Sequence, residues 1–243
     1  MRYDTRYRSV NYSSYLPVGV KWLLIANVGM FLLYYLIPSI TQHLLMLSLV
    51  PVMVLKHFAV WQLATYMFLH GGIEHILFNM LALWMFGMTL EQDWGTRRFL
   101  KYYFLCGIGA GICDVALNGI MGNWGTHTIG ASGAIYGLLL AFGVLYPNQT
   151  VLFFFIFPMK AKYMVMIVGA IAFLGALHVN SGVSDIAHLG GMAFGYAYLK
   201  MRFVHVDFGY FGREFNAWKL RRAKKRFQVY MRKHGSDRDT WVN

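Results

Sequence analysis

Apolar residues fall in blocks that can be counted against the roughly 20 residues a bilayer-crossing helix demands. With Pro38, Pro147 and Pro158 and the polar runs as punctuation, the pattern predicts helices at about 19–37, 72–90, 98–118, 131–146, 162–179 and 185–203. Six spans put both termini on one side. The first block is too long, and lacks the small-residue cleavage pattern, for a removable signal peptide, so it is expected to stay as a helix. Two segments fit neither a helix nor a simple loop. Residues 39–70 are apolar around Leu44–Leu55 but broken by Pro51, and are expected to lie partly embedded in the outer interface. Residues 147–162 read as a connection on the other side, with Phe153, Phe154 and Phe155 resting at the headgroups.

The fourth block is the odd one. Its apolar stretch, Ala131–Tyr146, is only about 16 residues, or about 24 Å of helix, against a hydrocarbon core of roughly 30 Å. Its start must therefore lie below the outer surface, and the preceding Gly122–Gly130 is glycine-rich, polar and uncharged. Irregular backbone at that depth survives only where it lines protein or a wet cavity. Ser132 then stands at a helix N-terminus, where free N–H groups and the helix dipole favour an anion.

Composition agrees with the span count. Of 243 residues, 58% are hydrophobic and 13% charged, with a mean hydropathy of +0.46, whereas charged residues make up about 25% of a soluble domain. An all-α polytopic membrane protein is expected: 1–16 as a cytoplasmic segment, 17–203 as the membrane domain and 204–243 as a basic cytoplasmic tail. Of 22 Lys and Arg, every one except Lys56 falls on the side of the termini, which the positive-inside rule makes cytoplasmic. The net charge of +12 thus needs no nucleic acid. A run such as Lys219–Arg226 serves topology and attraction to anionic lipid. The two cysteines, Cys106 and Cys113, supply neither a disulfide framework nor a four-ligand zinc site, and no metal or cofactor is expected.

Candidate chemistry sits where glycines open helix faces. Gly133 and Gly137 follow Ser132, and Gly191 and Gly195 follow His188; in each pair a spacing of four lets membrane helices cross closely. His188 lies one turn into the sixth span, at the depth of Ser132. Serine needs its proton taken by a nearby imidazole to become a useful nucleophile. His75 and Asn79, one turn apart near the outer end of the second span, are donors for an oxyanion, together with the Ser132 N–H. The alternative reading is structural: small-residue packing faces, a lone histidine, and polar contacts gluing a bundle. Asp185 reads as the cap of the sixth helix, on which view Asp185→Asn leaves activity nearly intact; it could also orient His188 from one turn away. Asp114 is an intramembrane ionisable residue whose helix-end position favours a structural role.

These residues resemble the signatures of rhomboid intramembrane serine proteases. The resemblance covers about residues 17–203. It rests on Gly130–Gly133 with Tyr136, on His75 with Asn79, on Ala187–His188 with Gly191 and Gly195, and on the run Trp61–His70. It implies a six-helix bundle with an interfacial loop between helices 1 and 2, and a Ser132–His188 dyad with Tyr136 stacked under the histidine. It also implies an oxyanion site of His75, Asn79 and backbone, and transmembrane-helix substrates cut near their outer end after local unwinding. Gln62 stands where many members carry arginine, which puts loop anchoring in question.

Other classes fit less well. His-Glu-x-x-His is absent, no Gly-x-Gly-Asp setting surrounds Asp114 or Asp185, and Ala134 breaks the soluble Gly-x-Ser-x-Gly elbow. A transporter is expected to show two-fold internal similarity, and the halves show none. A rhomboid-like protein that binds membrane clients without cutting them is the remaining alternative. The lack of a long soluble domain or targeting presequence points to a bacterial inner membrane.

Overall fold

The computed structural model describes residues 16–40, 45–153, 156–177 and 185–203. The N-terminal segment 1–15, Phe154 and Phe155, and residues 204–243 of the basic tail lie outside the described residues. The chain divides into two compact units, Met1–Leu199 and Lys200–Asn243, and all contacts below belong to the first.

Six helices of 14 or more residues occur among the described residues, numbered here in chain order. They are α1 (Val18–Leu36), α2 (Ile73–Trp94), α3 (Thr96–Ile120), α4 (Ser132–Leu145), α5 (Ala161–Ala176) and α6 (Asp185–Phe203). Among them α1, α2 and α3 are long and apolar enough to cross a membrane, while α4 and α5 are shorter apolar helices. Each matches an expected block, with α2 running four residues further than its pattern. A π-helical stretch at Leu83–Gly87 lies within it, where the added methyl of an alanine at Gly87 would press on Val20 of α1 at 3.0 Å. Large apolar side chains such as Trp22, Ile25 and Leu32 of α1 face outward, as a lipid solvent permits. Inside, Phe99, Tyr102 and Tyr103 of α3 are fully buried.

Polar groups join these helices. Glu91 of α2, 3% exposed, accepts the Gly19 and Val20 N–H groups at 2.7 Å each, and its Oε1 also accepts the Thr96 hydroxyl at 2.5 Å. A carboxylate from one helix thereby satisfies the orphan donors at the start of another.

Between α1 and α2 the expected irregular segment is a set of short turns around one seven-residue helix, Pro51–His57. Gln62 is its anchor: Nε2 donates to the Met46 carbonyl at 3.0 Å and Oε1 accepts the Val50 N–H at 3.1 Å. The amide does the tethering at the position where the resemblance expects arginine. The Tyr34 hydroxyl of α1 donates to the His70 carbonyl and accepts the His70 N–H, fixing the entry to α2.

One expectation needs correcting. The fold is mostly helical but not all-α, because β1 (Thr150–Phe153) and β2 (Phe157–Lys160) pair antiparallel, Thr150 with Lys160 and Phe153 with Phe157. Thr, Val and Phe favour extended backbone there, and Pro158 is tolerated because a two-stranded sheet consists only of edges.

Candidate functional site

The loop before α4 is irregular, as expected, and each tether holding it is visible. Thr128 pairs with Leu49 through two backbone hydrogen bonds of 2.9 Å, and the Thr128 hydroxyl donates to buried Asp114 of α3 at 2.8 Å. Asn118 donates to the same carboxylate at 3.1 Å. The Gly130 N–H donates to the Tyr66 carbonyl at 2.9 Å, while the Tyr66 hydroxyl reaches the Gly107 carbonyl at 2.7 Å. Gly130 has φ +122°, which a side chain rarely adopts. The chain therefore turns sharply and starts α4 at Ser132.

Ser132 meets His188 at this point. Its Oγ lies 2.8 Å from Nε2 of His188, which is 7% exposed. The imidazole stacks on Tyr136, one turn along α4, with ring centroids 4.1 Å apart and planes 1° from parallel. Close crossing makes this possible: a methyl on Gly191 would overlap the Gly133 carbonyl, and one on Gly133 would strike Ala110. Gly137 and Gly195, like Gly133, face the neighbouring seam with α3. Added methyls there would collide with Cys106 and the Tyr102 hydroxyl respectively, and that hydroxyl donates to the Gly137 carbonyl at 2.8 Å.

His75 lies over Gly130, so that a methyl on the glycine would come within 2.6 Å of Nε2 and 3.8 Å of Ser132 Oγ. The Gly71 N–H donates to His75 Nδ1 at 3.3 Å. In a neutral ring that leaves the proton on Nε2, the nitrogen that faces Gly130. Asn79 Nδ2 donates to the His75 carbonyl at 2.9 Å, which uses one amide hydrogen and leaves the second. His70 stands edge-on to His75 at 5.0 Å, and burial, then the neighbouring imidazole, push it down to about 3, so it carries no charge near neutral pH.

A cavity of about 1120 Å³ opens onto these groups, lined by Ser132, His188, His75 and Asn79. It continues past Met85 and Phe86 of α2 to Met164 and Val168 of α5 and to Leu152 of β1. The arrangement offers a hydroxyl bonded to an imidazole, donors on the opposite flank, and an apolar slot leading away.

Residues 57–205 match the model of the Rhomboid domain. The chain belongs to the rhomboid family. It is 34% identical over 170 residues to RHOMBOID-like protein 1 of Arabidopsis thaliana, covering 69% of this chain and 40% of that protein. To the putative rhomboid protease YdcA of Bacillus subtilis (strain 168) it is 33% identical over 147 residues, covering 56% of this chain and 64% of the relative. Rhomboid protease GluP of the same organism is 33% identical over 136 residues, with 56% of this chain and 25% of the relative covered. The chain spans less than two thirds of the length of each of these relatives. Family and apolar helices together make this rhomboid an integral membrane protein.

Of two further features of the site, sequence reasoning reaches one as an alternative and the other not at all. Asp185 begins α6, and its Oδ1 lies 3.4 Å from Nδ1 of His188. The i, i+3 spacing is readable in the sequence, but the side chain's direction is not. Gly175 of α5, against which that carboxylate packs, carries no signal of its own.

Proposed function

We propose that this rhomboid is a serine-type intramembrane endopeptidase that cuts transmembrane-helix substrates near their outer end. The observation carrying the reading is the 2.8 Å contact between Ser132 Oγ and His188 Nε2 inside the cavity. A protein that merely bound membrane clients would have no need of a hydroxyl bonded to an imidazole, with donors aimed at the opposite flank. Relatives named as rhomboid proteases support the same reading.

In the proposed reaction Ser132 Oγ attacks the scissile carbonyl while His188 Nε2 takes its proton. The C–O bond forms as the carbonyl π electrons move to oxygen. That oxyanion is met by His75 Nε2–H, the free Asn79 amide hydrogen and N–H groups at the start of α4. His188 then passes its proton to the departing amine, the C–N bond breaks, and an acyl-serine remains. Water, deprotonated by His188, releases the acid and restores Ser132. The cavity's extension between α2 and α5 supports lateral entry of an unwound substrate segment.

The same reading takes all six helices as spans, with 17–203 as the membrane domain and both termini cytoplasmic, in a bacterial inner membrane. The basic tail would lie on anionic lipid. A fluorophosphonate offered to the detergent-solubilised chain is expected to label it, and mass spectrometry is expected to map a cut in a membrane substrate. Labelling or cleavage that survives Ser132→Ala would refute the dyad.

A further inference from the structure

His188 has two ring nitrogens, and the proposed reaction uses one. If Nε2 is to take the proton of Ser132, a neutral ring must carry its own proton on Nδ1. Among the described residues no hydrogen bond reaches Nδ1, although the atom is buried. A buried donor without an acceptor is costly, and leaves the ring free to settle in the wrong tautomer. The group standing opposite is the Asp185 carboxylate, with Oδ1 3.4 Å from Nδ1 and its side chain 12% exposed. Asp185 precedes His188 by three residues on α6, so the two project from one face, one turn apart.

The carboxylate is also held from the far side. An added methyl at Gly175 in the last turn of α5 would overlap Oδ2 of Asp185. The missing side chain at 175 is thus the space the carboxylate fills. Tyr136 covers the face of the imidazole, Ser132 meets one end of it, and Asp185 faces the other.

We propose that Asp185 is a positioning residue, held by α5 through Gly175, that fixes the Nδ1–H tautomer and orientation of His188 and faces the positive charge formed when Nε2 takes the serine proton. The site then works as a Ser132–His188–Asp185 relay of position, with no proton passing to Asp185. The inference rests on the proposed protease reading. Asp185→Asn keeps size and polarity but replaces a charged acceptor with a neutral amide. Losing a charge-assisted contact of this length is expected to lower kcat about tenfold or more.

The test compares the full chain with Asp185→Asn, Gly175→Ala and Ser132→Ala in proteoliposomes, reading kcat, KM, the fluorophosphonate labelling rate and the thermal midpoint. Both Asp185→Asn and Gly175→Ala are expected to lower kcat and labelling rate by about tenfold or more, with KM within twofold and the midpoint unchanged. Gly175→Ala leaves the acid in place and improves helix propensity, so its loss would report displacement of the carboxylate. Wild-type kcat in Asp185→Asn overturns the inference while Ser132-dependent cleavage upholds the protease. So does a fall in kcat that merely follows a fall in midpoint. A wild-type chain that neither cleaves nor labels overturns both.

Discussion

Gly191 has no chemistry of its own, yet its replacement by alanine is expected to disable the site. An added Cβ would sit inside the van der Waals envelope of the Gly133 carbonyl oxygen and 3.2 Å from Gly133 Cα. An ordinary C···O contact is about 3.3–3.6 Å, so α4 and α6 must separate by about 1 Å or more. Ser132 is the residue before Gly133, and His188 lies one turn before Gly191. The 2.8 Å contact between Oγ and Nε2 would therefore stretch towards or past 3.5 Å, where a hydrogen bond is lost. A misplacement of about 1 Å costs on the order of 100-fold in rate, and overpacking costs about 1–3 kcal/mol of stability. The assay is kcat in proteoliposomes beside the thermal midpoint, with Gly29→Ala as control because nothing lies within 4 Å of a methyl there. A Gly191→Ala protein that cleaves at a third of the wild-type rate or better would refute the claim that this crossing sets the dyad distance.

Glu91→Ala leaves the Gly19 and Val20 N–H groups and the Thr96 hydroxyl without their acceptor and is expected to cost about 3 kcal/mol; an unchanged midpoint in thermal unfolding would contradict this. His70 is pushed down to about 3 in the fold against about 6.5 unfolded. Its stabilising contribution is therefore complete above pH 6.5 and is lost as pH falls towards 3, by about 1.4 kcal/mol at pH 5.5. His70→Phe should flatten that part of the midpoint's fall between pH 7.5 and 5.5, and an equal fall in both proteins would refute it. Asn79→Ala is expected to lower kcat by roughly 100- to 1000-fold with KM little changed, the scale of one lost oxyanion donor; unchanged turnover would leave Asn79 as a tie to the His75 carbonyl.

Helix positions are legible in the sequence because length in a bilayer is set by its thickness. Each of the six apolar blocks has a helix whose described start lies within two residues of the predicted one. The start of α4 at Ser132 is legible for the same reason, since a block that is too short must begin below the surface. Contact is not legible. The depths of Ser132 and His188 can be compared from spacing, but nothing in spacing says that α6 lies against α4. The glycine pairs illustrate the limit: Gly191 meets Gly133, whereas Gly133, Gly137 and Gly195 receive Ala110, Cys106 and Tyr102 of α3. A run of small residues marks a close approach and leaves the partner open. The pairing of β1 with β2 is hidden because an aromatic, β-branched run near a membrane reads equally well as an interfacial anchor.

The polar residues divide by what the membrane makes costly. Helices satisfy their own backbone, so the expense lies wherever the helix stops, and at three such places a side chain from another helix supplies the partner. Glu91 meets the start of α1, Tyr34 meets the turn at His70, and Asp114 meets the loop at Thr128. Asp114, an intramembrane acid and so a default suspect for chemistry, is accounted for by the Asn118 and Thr128 hydrogen bonds it accepts. Asp185 differs from all of these. Its carboxylate faces a ring nitrogen rather than a backbone end, and the glycine that leaves room for it belongs to another helix. The ring nitrogen opposite and the space at Gly175 together favour the proposed positioning role over a purely capping one.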